Sequence, residues 1–311
     1  MNTDCIFEKI SINDLNRIID LAKNNNGNAD LTPTNFEHWY FKNPTQSFSL
    51  WKVIVDNKLE GYATTNNFNY FINNQFFKVA LPQNVLTSYD VRGKGFFGKL
   101  YLQTEKENIT ENKVDCFMTF TGDMSTPIFL NKFNYIRGKC PDIKIYFNNP
   151  FWIISKKNYK LINLEDVKDF SNCSLPNSRI KNYDYFKWRY SNCNKQNLKI
   201  ISVQENDIAI GYAFLIVKKK MGIKFLILAD ILTENQNQIE FIINTCKKYS
   251  SKSLFAFLTM FKLEILTKKI EFSINIKNRF NFLVKGKTEI ETENLSTTDF
   301  NFFIGDLDFF W

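Results

Sequence analysis

The residues with the clearest chemical potential lie between Asn84 and Leu100, NVLTSYDVRGKGFFGKL. Arg92-Gly93-Lys94-Gly95 separates a β-branched, apolar run ending near Thr87 from Phe96 to Asn108, where helix formers and apolar residues recur at helical spacing. The order predicts strand, glycine turn, helix. The first amides of a helix have no partner within it, and they gather at the positive end of its dipole. Such a turn suits a diphosphate, because Gly93 and Gly95 let the backbone come close while Arg92 and Lys94 add compensating charge. An ordinary basic strand-to-helix turn has the same composition, so the motif alone leaves both readings open.

Those residues need a scaffold. Cys5 to Ile10 reads as a strand, and Ser11 with Asp14 forms a capping-box pattern opening an amphipathic helix through Ala22. Thr34 is placed to cap a second short helix bearing Phe36, Trp39 and Tyr40, closed by Pro44. A strand from Trp51 to Val55, a turn at Asp56-Asn57, a strand from Leu59 to about Phe71, a turn at Asn73-Asn74 and a strand from Phe76 into Thr87 make an antiparallel meander feeding the glycine turn. Beyond the helix, Val114 to Phe120 reads as a buried strand, Thr126 to Phe133 as a short helix with Pro127 in its first turn, and Ile143 to Phe147 as the strand closing this half.

With 311 residues and 44 % hydrophobic content, the chain can form two domains with packed cores. Its apolar runs fall short of membrane-spanning length and its first residues lack the zones of an export signal, so the expected address is cytoplasmic, without membrane insertion. Six cysteines without C-x-x-C spacing and one histidine, His38, speak against a zinc site, a disulfide framework and metal chemistry. The formal charge of +8 suits anionic metabolites such as coenzyme A and nucleotide sugars; the basic residues form no dense run, which disfavours nucleic acid.

The second half echoes the first. Trp39-Tyr40-Phe41-Lys42-Asn43 returns as Trp188-Arg189-Tyr190-Ser191-Asn192, and Gly61-Tyr62-Ala63 as Gly211-Tyr212-Ala213. Val114 to Phe120 has a counterpart in Leu254 to Phe261, and Leu130-Asn131-Lys132 in Leu266-Thr267-Lys268. Short echoes also arise by chance among aromatic-rich strands, but two in order suggest a duplicated domain. After Leu226 to Leu232 the chain runs Thr233-Glu234-Asn235-Gln236, with neither glycine nor basic residue, so the second half has no matching phosphate turn. The expected architecture is α+β, with tandem domains at 1–150 and 151–311 meeting near Pro150. Each is expected to be a mixed, mostly antiparallel sheet flanked by helices, the second shaping the acceptor site.

On Val85-Leu86-Thr87, the Arg92 to Gly95 turn with its helix, and Thr121 to Tyr135, which is similar to a strand-loop-helix segment ending in Leu-x-x-Lys-x-Gly-Phe, the chain resembles the GNAT superfamily of acyl-CoA-dependent N-acyltransferases. The resemblance covers most of 1–150 and weakly 151–311, making the second half a degenerate GNAT-like domain. It implies acetyl-CoA or another acyl-CoA as co-substrate and no metal. The implied coenzyme contacts are Leu86, Thr87, Arg92, Gly93, Lys94, Gly95, Phe96, Phe97, Gly98 and Ser125, with the pantetheine arm between Val85 to Ser88 and Asp115 to Phe120. Three departures stand out. The family pattern has a small residue where this chain has Phe97, and the tyrosine that often protonates the departing thiolate aligns with Leu130. The asparagine common before that helix aligns with Gly122, beside Asp123. The tandem form, the RGKGFFGKL turn and the ending Gly305-Asp306-Leu307-Asp308 look like bacterial acyltransferases acting on nucleotide-linked amino sugars of surface polysaccharides.

Amide formation from a thioester needs an unprotonated amine held near the carbonyl, a donor for the developing oxyanion and an exit for the thiolate. Backbone amides of Val85 to Ser88 are expected to supply the donor, and Asp90 or Asp123 are the catalytic candidates for orienting the amine; both also fit turn-capping or solvated positions. A sugar amine asks less of a general base than a lysine does. His38, Asp306 and Asp308 are the acceptor-binding candidates, although His38 reads first as a packed or surface residue and the tail equally as an edge strand. The implied partner is a small-molecule amine, first a nucleotide sugar. An antibiotic, polyamine or protein lysine as acceptor, a non-catalytic coenzyme A-binding protein, and transfer of amino acids from tRNA are the rivals.

Overall fold

The computed structural model describes residues 5–27, 31–147, 158–170, 175–193, 197–252, 256–263, 273–277 and 280–307. Its strands are β1 (Cys5–Lys9), β2 (Phe48–Val55), β3 (Lys58–Ile72), β4 (Gln75–Thr87), β5 (Cys116–Thr121), β6 (Ile136–Arg137), β7 (Ile143–Tyr146), β8 (Tyr159–Ile162), β9 (Ser178–Arg179), β10 (Leu198–Glu205), β11 (Ile208–Lys220), β12 (Ile223–Thr233), β13 (Ala256–Phe261), β14 (Ser273–Ile276) and β15 (Asn281–Lys285). The helices are α1 (Leu15–Asn24), α2 (Pro33–Phe36), α3 (Phe96–Thr110), α4 (Thr126–Lys132), α5 (Tyr183–Ser191), α6 (Ile239–Ser250) and α7 (Glu289–Thr297). The fold is α+β, with two mixed, mostly antiparallel sheets flanked by helices, as expected. Among the described residues no helix is long and apolar enough to cross a membrane.

The meander forms because its turns suit left-handed backbone. Asp56 and Asn57, then Asn73 and Asn74, take positive φ at the two-residue hairpins, a conformation these side chains tolerate. Thr32, not Thr34, caps α2: its side chain accepts from the Asn35 amide at 3.1 Å, with Pro33 in the first turn.

One sheet runs β1-β2-β3-β4-β5-β15-β6 and the other β8-β10-β11-β12-β13-β7-β14. In each, among the described residues, one parallel pair, β4 with β5 or β12 with β13, interrupts antiparallel neighbours. Strand β7 does not close the first half. It pairs with β13 and β14 in the second sheet, while β15, from late in the chain, takes the corresponding place beside β5. The boundary drawn near Pro150, itself outside the described residues, falls between β7 and β8, both strands of the second sheet. Alternation of apolar residues fixes which face of a strand is buried and not which sheet it joins, so periodicity cannot reveal this exchange.

One of the buried clusters runs between the two sheets. Trp39 and Trp188 stack with centroids 4.8 Å apart, and Phe68, Tyr185, Phe214 and Phe302 belong to the same buried cluster. The aromatic pair echoed between the halves is therefore packing. His38 sits in this seam, its Nε2 donating to the Trp188 carbonyl at 2.8 Å while the Trp188 indole donates to the His38 carbonyl at 2.9 Å. Burial holds the His38 pKa below its ordinary 6.5, against the pull of the Trp188 carbonyl. A depressed imidazole contributes stability that is complete above its unfolded value and is lost as pH falls through the folded one. Chemical denaturation below pH 6.5 should therefore show stability declining with acidity, and His38→Gln should flatten that limb.

Candidate active site

Strands β4 and β5 pair only at Val79 with Cys116 and Ala80 with Phe117. Beyond these, Thr119 Oγ1 donates to the Pro82 carbonyl at 3.1 Å. Within a strand the N–H and C=O of one residue point to the same side, so the donor that proline lacks is missing on the edge facing β5. A ladder cannot continue there, and the strands open. One step further, the register of β4 against β3 shifts, with Thr64 opposite Gln83 and Tyr62 opposite Leu86. Asn84 and Val85 together stand opposite the single residue Ala63, one residue more on β4, and Asn84 takes φ 49°. Its side chain donates to the Tyr40 hydroxyl at 3.1 Å. The bulge breaks the pairing pattern at the middle of the opened edge.

A cavity of about 760 Å³ fills the space between the separated strands. Its outer end is the glycine turn. Gly93 and Gly95 have φ of 80° and 83°, values that favour glycine, and a Cβ on either, or on Gly98, would meet nothing within 4 Å. Helix α3 starts at Phe96 with no side-chain cap and no acidic residue in its first turn, so no side chain of the turn competes for its leading amides, and Phe97 and Gly98 line the cavity. The Arg92 guanidinium lies over the Tyr89 ring at 3.8 Å, and its Nε donates to the Thr87 carbonyl at 3.3 Å. These features fit an anionic phosphate group. Among the described residues no cluster of His, Cys, Asp and Glu is placed to hold a metal.

The inner end is walled by the segment after α7. Phe302, Asp306 and Leu307 line the cavity with Tyr70, Leu81, Gln83, Met118 and Phe120. The Asp306 carboxylate is buried, with Lys181 Nζ at 2.8 Å and Arg179 Nε at 3.4 Å, and it accepts from the Phe303 amide at 2.7 Å. Arg179 also reaches the Tyr70 hydroxyl and the Asp306 carbonyl. Burial pushes the Tyr70 phenol up to about 12, against the lowering effect of Arg179.

Of the residues singled out in the sequence, Leu86, Thr87, Arg92, Gly93, Gly95, Phe97, Gly98, Ser125 and Asp306 line this one cavity. Five do not. Phe96 turns into the core with Val53, Val91 and Leu100. Lys94 is exposed on the turn. Asp90 and Asp123 are exposed and outside the lining, the latter accepting weakly from Asn281 at 3.5 Å. His38 is occupied by the seam. Asp308 lies outside the described residues. Sequence reasoning missed Tyr70, Gln83 and Lys132. Gln83 is oriented by the Trp39 indole, which donates to its Oε1 at 2.7 Å. Lys132 was discoverable, since Ser125, Ile128, Phe129 and Lys132 fall at helical spacing and all line the cavity. Leu130, aligned with the family's tyrosine, packs against the cluster of Tyr101, Phe129 and Phe133.

The two mixed sheets flanked by helices match the fold of solved GCN5-related N-acetyltransferases. The chain superposes on a protein from Enterococcus faecalis described as a probable N-acyltransferase with a TM-score of 0.66 and 12 % identity, covering 93 % of this chain and 74 % of that one. A GCN5-related N-acetyltransferase from Anabaena variabilis gives 0.67 at 10 % identity, over 90 % and 72 %. Another, from Kribbella flavida, gives 0.63 at 8 %, over 91 % and 71 %. No protein-family profile matches the chain, and no curated protein sequence does.

Proposed function

We propose that the protein is an acyl-CoA-dependent N-acyltransferase working at the cleft between β4 and β5. One observation carries this: an open, uncapped helix start flanked by left-handed glycines and a parallel strand pair that separates at Pro82 meet on a single cavity. The amides of the Gly93 to Gly98 turn would hold the pyrophosphate, with Arg92 and Lys132 as compensating cations. The unpaired edges of β4 and β5 would align the pantetheine arm. The acyl-CoA supplies an activated acyl group and a thiol leaving group. Amides at the Asn84-Val85 bulge would orient the carbonyl and stabilise charge developing on its oxygen.

The acceptor amine would approach from the inner end, past Gln83, Tyr70 and Asp306. Asp306 is fixed by two cations, which suits it to orienting an amine more than to taking its proton. Leu130 offers no proton, so positioning supplies most of the acceleration. A nucleotide-linked amino sugar is the acceptor we put first, on the sequence resemblance, and we place the activity in the cytoplasm. We also read the two sheets as two GNAT-like units that have exchanged their sixth strands, the second with no phosphate turn.

Release of free thiol from acetyl-CoA, measured across a panel of amino sugars, polyamines, aminoglycosides and peptides, tests the reaction and ranks acceptors. Thiol release at the spontaneous rate with every amine would leave a coenzyme-binding protein without catalysis. Because Asp90 and Asp123 stand outside the cavity lining, replacing either with alanine should keep kcat within about twofold of the parent, the range of a surface change. A tenfold loss would return them to the mechanism.

A further inference from the structure

Four two-residue hairpin turns join β2 to β3, β3 to β4, β10 to β11 and β11 to β12. Three place Asp or Asn at both left-handed positions: Asp56-Asn57, Asn73-Asn74 and Asn206-Asp207. The fourth has Met221 at φ 50° ahead of Gly222 at φ 78°. A long apolar side chain is disfavoured in that backbone and disfavoured again in water. Yet Met221 is 92 % exposed, the most exposed large apolar side chain among the described residues. Lys218, Lys219 and Lys220 precede it, all exposed, and Lys224 follows, with no carboxylate in the chain between Asp207 and Asp230. Three lysines in a row are too few to make a dense basic run in the sequence; the hairpin concentrates the charge by bringing Lys224 beside them, opposite Lys219 in the register. At the same end of the second sheet, Phe225, Phe257 and Phe147 form a row across β12, β13 and the end of β7, with centroids 6.1 and 5.6 Å apart and Phe147 38 % exposed.

We propose that this hairpin tip is a peripheral docking element for an anionic lipid surface, Met221 entering the boundary between headgroups and acyl chains while the lysines meet lipid phosphates. A second copy of the chain is a poor occupant, because a symmetric contact would set lysines against lysines. A nucleic acid would satisfy the lysines and leave Met221 without a role. No membrane-spanning segment is involved, and docking is independent of the acyl-transfer chemistry.

Flotation of the full chain with vesicles of phosphatidylcholine alone, and of phosphatidylcholine with an equal share of phosphatidylglycerol, tests this. The chain should float with the anionic vesicles at low salt and stay behind with the neutral ones. Met221→Asn, which restores the residue the other turns use and should hold or raise the melting temperature, should weaken binding about tenfold. Changing Lys219, Lys220 and Lys224 together to glutamine should weaken it about a hundredfold. No flotation of the parent protein, or flotation untouched by Met221→Asn, overturns the proposal. So does capture on RNA as tight as on the anionic vesicles and equally indifferent to Met221.

Discussion

Replacing Gly98 with aspartate is expected to abolish coenzyme A binding while leaving the fold as stable as before, or slightly more so. Gly98 is the third residue of α3 and lines the outer end of the cavity, and a Cβ there meets nothing within 4 Å. Aspartate costs less than glycine inside a helix, and a carboxylate in the first turn favours the dipole by about 0.3–1 kcal/mol. The same carboxylate would stand where the pyrophosphate is to lie. Two like charges about 4 Å apart repel by about 4 kcal/mol near a protein surface, roughly three orders of magnitude in Kd. Gly98→Asn, of the same size and without charge, should lose far less. Thermal melting and calorimetric titration with coenzyme A read the two effects separately, and retained affinity in Gly98→Asp would mean that the phosphates sit elsewhere.

Asp306→Asn should destabilise the whole chain and raise the KM for the acceptor. Its carboxylate closes a buried cluster in which Lys181 also contacts Asp230, and Tyr190 donates to Asp230 at 2.6 Å. Burial raises the Asp230 pKa against the pull of Lys181, so that carboxylate is ill placed to balance two cations alone. Losing one charge from such a cluster costs about 3–5 kcal/mol, a large part of the 5–15 kcal/mol typical of a folded chain. The loss should spread to the cavity, because the same residues fix its inner wall. Arg189 donates to the Gly305 and Leu307 carbonyls at 3.1 and 3.0 Å, and a side chain at Gly305 would press on the Ala229 carbonyl at 2.7 Å. Adding Lys181→Met to Asp306→Asn restores the charge balance and should recover part of the stability, which urea denaturation would detect. Equal loss in the single and double variants would show that charge is not what Asp306 contributes.

What the sequence could reveal follows from how local each feature is. The glycine turn was legible because its conformation is written in adjacent residues, Arg92 to Gly98, whose geometry and charge owe little to the rest of the chain. The meander was legible for the same reason, its hairpins marked by Asp56-Asn57 and Asn73-Asn74. The exchange of β7 and β15 was not, since β15 pairs Leu283 with Thr119, residues far apart in the chain. His38 drew notice as the lone histidine and reads from the sequence as packed or surface, yet its partner Trp188 lies in the other half, so only the fold names what it packs against. Phe96 and Phe97 are neighbours of one type that the helix sends to different faces, Phe96 into the core with Val53 and Leu100 and Phe97 to the cavity wall beside Tyr101 and Phe133. Tyr70 and Arg179 belong to no motif, and their meeting at the inner wall depends on both halves.

The proposed reaction requires one cradle of main-chain amides, in the first half, to take the pyrophosphate of coenzyme A. Crystals of the protein grown with coenzyme A measure this most directly. The expected result is one molecule per chain, its pyrophosphate against the amides of Gly93 to Gly98 and its pantetheine arm between β4 and β5. A molecule seated between β12 and β13, or none at saturating concentration, would contradict it.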